Sequence, residues 1–398
     1  MFRQKSLFAT LALLSLSTLA SAQPMTRAIV APTCLLQQMQ GPYTSLAKAN
    51  NLELIQIDDQ GLSHLISAKS QRQMTPCGGF MDVTEDWQHT SLSPKAFLKT
   101  YLPTNTRGKS TSYSIKYEKQ VTPLLSEINQ ENMKANLTTL SSFNDRYANS
   151  DTGVKAAEWI KNKVETMARD YNRQDVTVYT VATGSYKQPS VVAKFGNGTG
   201  PGIVVGGHMD TLRADMFGAK PGADDDGSGT VTILEAVRTL FASGMNFKKP
   251  IYFIWYSAEE LGLYGSQYVV ADFKKKNIPV DAVVQFDMTG YENPKDPKTM
   301  WLMTDYVNKD LTGFMQTLIT TYVKQPVKLS RCGYACSDHA SWTQKGYAAA
   351  MPFETEMNKD NPNIHTSNDQ IQHLNFNHMQ DYAKLATAYA VELAEPTA

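Results

Sequence analysis

Gly202-Ile-Val-Val-Gly-Gly-His-Met-Asp210 is a short apolar run that stops at an imidazole and a carboxylate. A strand with one wet face alternates apolar and polar residues, so a run without alternation reads as a strand buried on both faces, the habit of parallel sheets. Two further runs repeat the pattern. Pro250 to Ser257 leads to Glu259 and Glu260, and Val280 to Phe286 leads to Asp287. Helical stretches fill the intervals at 229–240 and 265–276, and others are expected near 308–324 and 378–393. Upstream, Ser150 can cap a helix carrying Ala156, Ile160, Val164, Met167 and Tyr171 at helical spacing, and β-branched runs follow at 176–182 and 191–195. Strands separated by helices predict an α/β fold, a mostly parallel central sheet with helices on both faces.

In such a sheet, ligands collect beyond the carboxyl ends of the strands. There the chain concentrates its chemistry: His208 ends the first run, Glu259 and Glu260 follow the second, and Asp287 ends the third. The Gly-rich turn Pro221-Gly-Ala-Asp-Asp-Asp-Gly-Ser-Gly229 opens a helix with three acids. One such motif alone is ordinary surface chemistry. Together they form the scattered ligand set of a hydrolase with two metal ions, because borderline metals such as zinc take imidazole nitrogen and carboxylate oxygen, and one carboxylate can bridge a pair.

The 398 residues exceed one average domain, and their 38 basic and 38 acidic side chains cancel. Zero net charge offers no field for nucleic acid or an anionic membrane. Residues 1–22 have the form of a signal peptide: Arg3 and Lys5, an apolar stretch from Leu7 to Leu19, and the small-residue site Ala20-Ser-Ala22. Secretion is the expectation, since no later apolar run is long enough to span a bilayer. The four cysteines fall into two groups, Cys34 with Cys77 and Cys332 with Cys336. An exported compartment permits two disulfides, and the C-x-x-C spacing of a zinc site is missing.

Residues 23–110 hold one cysteine pair and none of the acidic motifs. They lead into Pro103-Thr-Asn-Thr-Arg-Gly-Lys-Ser-Thr-Ser112, a polar, basic linker of the kind proteases nick. The segment reads as a propeptide removed by an activating protease, or as a permanent small domain. The catalytic domain is expected over residues 120–398.

The motifs in order are Gly206-Gly-His-Met-Asp210, Gly222-Ala-Asp-Asp-Asp226, Ala258-Glu-Glu260, Gln285-Phe-Asp-Met-Thr289, Cys332-Gly-Tyr-Ala-Cys-Ser-Asp-His-Ala-Ser341 and Asn363-Ile-His-Thr366. Over residues 125–395 the chain resembles the bacterial leucyl aminopeptidases, secreted dizinc exopeptidases related to glutaminyl cyclase and glutamate carboxypeptidase. The resemblance implies a zinc-exopeptidase, phosphorylase/hydrolase-like fold with a small N-terminal pro-segment. It also implies two Zn2+ per chain, one held by His208 and Asp287 and the other by Glu260 and His365, with Asp225 and a water shared between them. A cis peptide from Asp225 to Asp226 is implied as well. Asp210 would hold the other nitrogen of His208, Glu259 would be the general base, and Tyr334 would donate to the developing oxyanion. His339 is a candidate for supporting a ligand, and the remaining histidines outside the motifs read as surface or packing residues.

By the same resemblance, the pocket for the N-terminal side chain is lined by Met288, Cys332, Tyr334, Cys336, Met351, Phe353, Met357 and Ile364, a mostly apolar cleft suited to leucine or methionine. Relatives carry aromatic residues where this chain has Met357 and Asp360. Asp360 at the rim could instead pair with lysine or arginine. The partners implied are peptides with a free N-terminus, acted on by a monomer. A glutaminyl cyclase-like transferase, which uses a single metal, is disfavoured because all five dizinc ligands are present.

Overall fold

A computed structural model describes residues 26–71, 78–103, 111–213 and 218–397. The signal-peptide reading, Cys77 and residues 104–110 of the linker lie outside these. Strands β1 (Arg27–Pro32), β2 (Thr44–Ala49), β3 (Leu52–Ile57) and β4 (Met81–Asp82) form an antiparallel sheet in the order β2-β3-β1-β4. The helix Asp59–Ser70 follows β3, capped by Asp58, whose carboxylate accepts the Gly61 N–H.

The remaining strands are β5 (Val176–Thr183), β6 (Tyr186–Phe195), β7 (Gly202–His208), β8 (Ile251–Tyr256), β9 (Val280–Gln285), β10 (Met300–Met303), β11 (Val327–Ser330), β12 (Ala349–Ala350) and β13 (Pro352–Phe353). Six of them form the main sheet in the order β12-β9-β7-β8-β6-β5. β12, β9, β7 and β8 run parallel, whereas β6 pairs antiparallel with both β8 and β5. A tight turn at Gly184, with φ 56°, joins β5 to β6, and so short a link can only return the chain beside itself. β10 pairs with β11 and β13 in a smaller sheet.

The central strands are buried on both faces, as their unbroken apolar runs predict. Ile203, Val205, Phe253, Trp255 and Val284 point into one apolar cluster, and Val204, Tyr252, Ile254, Tyr256 and Val283 into another. Helices Asp151–Asp170, Gly229–Ala242 and Phe376–Ala394 cover the first face, and Tyr264–Lys275 covers the second. Ser150 caps the first helix by accepting the Gly153 N–H, and Ala156, Ile160 and Val164 form its buried stripe. Tyr171 is its exposed C-cap residue rather than part of the stripe. The expected helix near 308–324 is α-helical over Lys309–Leu318 and ends in a wider turn through Val323. Helices Glu118–Leu125 and Gln130–Ser141 were not legible beforehand, their apolar positions being few among polar ones.

The C-terminal body begins before residue 120. Tyr113 stacks on Phe314 at 5.4 Å, and the backbone N–H groups of Lys116 and Tyr117 donate to Glu392. No described helix is long and apolar enough to cross a membrane. Cys332 and Cys336 form a disulfide, and Cys34 is disulfide-bonded as well.

Candidate metal centre

β7, β8 and β9 deliver their motifs side by side because the strands are parallel and in register, with Gly206 opposite Ile254 and Gln285. Gly207 permits this closeness: a Cβ there would lie 2.6 Å from the Phe286 carbonyl oxygen. Two groups of potential ligand atoms result, His208 with Asp226 and Asp287, and Asp225 with Glu260 and His365, the atoms of each lying within 4.8 Å of one another.

Asp225 joins the two groups. Its Oδ1 lies 3.1 Å from His208 Nε2 and its Oδ2 lies 2.9 Å from His365 Nε2. Asp287 Oδ1 is 3.5 Å from the same His208 nitrogen, and Glu260 Oε2 is 3.3 Å from His365 Nε2. Asp226 belongs to the scaffold instead, since its carboxylate accepts the N–H groups of His208, Gly229 and Met288. The Asp225–Asp226 peptide bond is cis. Burial works to raise the Asp225 pKa, but the two imidazoles outweigh it and hold the carboxyl well below its usual range. Imidazole nitrogens and carboxylate oxygens converging without thiolates are the donors of zinc and similar divalent ions. The residues therefore fit a metal pair.

Further groups hold these side chains in place. Asp210 accepts the N–H groups of Glu259 at 3.0 Å and Glu260 at 3.3 Å, and its Oδ1 is 3.4 Å from His208 Nδ1. Asp369 accepts the N–H groups of Asp224 and Asp225. Arg146, fully buried, donates to the carbonyls of Met209, Pro221 and Gly222 and so clamps the turn after β7 to the acidic turn. Ser337 donates to Asp287. Arg146 and Asp369 lie outside every motif read from the sequence, and no spacing announces them. His339 is buried with neither ring nitrogen hydrogen-bonded, and burial pushes its pKa down to about 3, so it is neutral packing. His378 is also buried, against the Glu354 carbonyl.

Glu259 lies beside these two groups without being part of either. Burial holds its carboxyl well above the ordinary glutamate range, against the pull of Lys69 and His208. The cavity there is about 40 Å³, room for a few water molecules. Met288, Tyr334, Cys336, Met351, Phe353, Met357 and Ile364 line it together with Asp225, Glu259, Glu260, Asp287 and His365. Cys332 and Asp360 are not among its lining residues; the charge of Asp360 is felt at Tyr291 and Glu354. The remaining wall comes from the N-terminal part: Lys69, Gly78 and Gly79. Gly79 packs so closely on Tyr334 that a Cβ would lie 2.9 Å from its ring. The Lys69 ammonium sits 2.6 Å from Glu260 Oε2 and 3.5 Å from Glu259 Oε2. Burial disfavours its charge, but the two carboxylates prevail and raise its pKa above the ordinary lysine value.

A parallel-centred α/β sheet with two carboxylate–imidazole clusters beyond its strand ends defines a metal-dependent hydrolase. The model of peptidase family M28 matches residues 190–390. Leucine aminopeptidase 1 of Aspergillus clavatus is 40% identical over 329 residues, covering 79% of this chain and 82% of its own. The crystal structure of the LapA aminopeptidase of Legionella pneumophila aligns with a TM-score of 0.84 at 42% identity, over 94% of this chain and 99% of that one. The chain belongs to peptidase family M28 and is a metallo-aminopeptidase. A zinc aminopeptidase from Bacillus subtilis, 16% identical, shares the fold with a TM-score of 0.54, over 67% of this chain and 95% of its own.

Proposed function

We propose that the chain is a two-zinc aminopeptidase, exported and made in latent form, that removes leucine-like residues from the N-termini of peptides. The observation that carries the two-ion reading is one carboxylate, Asp225, with an imidazole on each oxygen. When bound, the ions would polarise the scissile carbonyl and lower the pKa of a water. The chain's own groups do the rest. Asp210 holds the backbone of Glu259 and Glu260 together, so one carboxylate serves as ligand while its neighbour stays free to accept a proton and pass it to the leaving amine. Tyr334, at the cavity wall, donates to the developing oxyanion. The apolar wall receives the side chain, which supports leucine over lysine.

Latency is supported by Lys69, Gly78 and Gly79 of the N-terminal part, which form a wall of the cavity. The form of residues 1–22 supports export. The deciding experiment compares kcat/KM for leucyl, lysyl and arginyl substrates, free and N-blocked, on uncut and trimmed protein. Fast leucyl turnover by trimmed protein alone is expected. A lysyl or arginyl preference that disappears in Asp360→Asn overturns the leucine reading, and equal activity of uncut protein overturns latency.

A further inference from the structure

We propose that Lys69 is a built-in counter-cation, which in the uncut chain competes with a metal ion for Glu260 and restrains the Glu259 carboxylate until the N-terminal part departs. The inference deepens the latency reading above and rests on it. Lys69 lies near the end of the helix Asp59–Ser70 and is only 5% exposed. A buried ammonium is costly unless paired, and this one is paired with two carboxylates of the body rather than with any of its own segment.

The geometry puts the contest on one atom. Glu260 Oε2 lies 2.6 Å from the ammonium and 3.3 Å from His365 Nε2, so the oxygen that faces the imidazole also carries the lysine. An ammonium has three donors and no lone pair; it can neutralise the carboxylate but cannot join a ligand set. A divalent ion between Asp225, Glu260 and His365 must share that oxygen with a positive charge, where buried like charges repel strongly. The helix backbone reaches the same ligands, the Lys69 carbonyl lying 3.4 Å from His365 Nδ1. The ammonium is also 3.5 Å from Glu259 Oε2, so it engages both neighbouring carboxylates. Losing the segment removes the competitor and takes no ligand from the body.

The test is zinc titration of the uncut chain, stripped of metal, with chelator competition to resolve two affinities and hydrogen exchange over residues 59–70 to follow docking. In the parent, the second zinc is expected to bind at least tenfold more weakly than in Lys69→Met, with the helix still protected. Equal second-site affinities in parent and Lys69→Met overturn the proposal. If Lys69→Met undocks the segment, Lys69→Arg decides: it keeps the charge, so a weak second site is expected, and tight binding of two ions with the helix protected overturns the idea. These readouts do not depend on turnover. A trimmed enzyme inactive on every aminoacyl substrate would sink the activity reading and leave the competition at Glu260 standing.

Discussion

The two apolar clusters on the faces of the main sheet contain no described residue before Tyr113, whereas both clusters that include the N-terminal strands also draw on residues of the C-terminal body. Ala28, Leu52 and Leu54 pack in a group with Met288, Tyr334 and Phe353, and Ile29, Leu35 and Ile55 with Leu212, Ala258 and Leu261. The body thus has cores of its own. The N-terminal part completes its cores only on the body, and the surface it uses is the substrate side. On the latency proposed above, that asymmetry would let the N-terminal part act as a cover whose loss leaves the cores of the main sheet intact.

Substitutions can break the comparison, because changes in the body must show in trimmed protein and changes in the cover must not. The largest expected effect is Glu259→Gln in trimmed enzyme, a loss of about 10²- to 10⁴-fold in kcat with metal content unchanged by elemental analysis. Near-full activity would remove Glu259 from its role. Asp369→Ala frees the N–H groups of Asp224 and Asp225 and should weaken zinc binding by about 10- to 100-fold, read by competition with a chelator. Leu54→Ala, at a fully buried position of the cover, should loosen it by about 2–5 kcal/mol, raising uncut activity and lowering hydrogen-exchange protection over residues 26–71. Unchanged activity and protection of the uncut protein would show that the cover is not held by this packing.

Gly79→Ala forces a methyl against the Tyr334 ring and should raise uncut activity more modestly. The smallest effect concerns the pair of Asp86 in the cover with Lys345 in the body. Burial raises the Asp86 pKa, but Lys345 and Tyr101 outweigh it and leave it below the ordinary 3.8. A depressed carboxylate stabilises docking above its ordinary pKa and loses that contribution as pH falls through the lowered value. Docking should therefore weaken slightly in acid, an effect absent in Lys345→Met. The pair is part-exposed, so the difference is expected at about 1 kcal/mol or less.

Much of the body was legible because its physics is local. A strand buried on both faces must be apolar throughout, so β7, β8 and β9 announced themselves, and the polar residues that ended the runs were the ones brought together. The paired antiparallel edge β5 and β6 was legible as strands but not as a reversal of direction, which a two-residue turn at Gly184 determines. His365, far along the chain in an irregular segment, came into view only through resemblance to a family.

By itself the sequence determined the α/β layering, the strand-end position of the chemistry and the residue types suited to metal ions, since each follows from burial periodicity or donor chemistry along a short stretch. Only the tertiary structure decided that Asp225 presents one oxygen to each imidazole, that Arg146 and Asp369 hold the acidic turn, and that Lys69 from the cover stands against Glu260. Those contacts join residues 17 to 191 positions apart. A lysine in an amphipathic helix and an aspartate in a polar loop read like any solvated charge until folding excludes water from them, and which charges lose their water is a property of packing between elements, not of spacing within one.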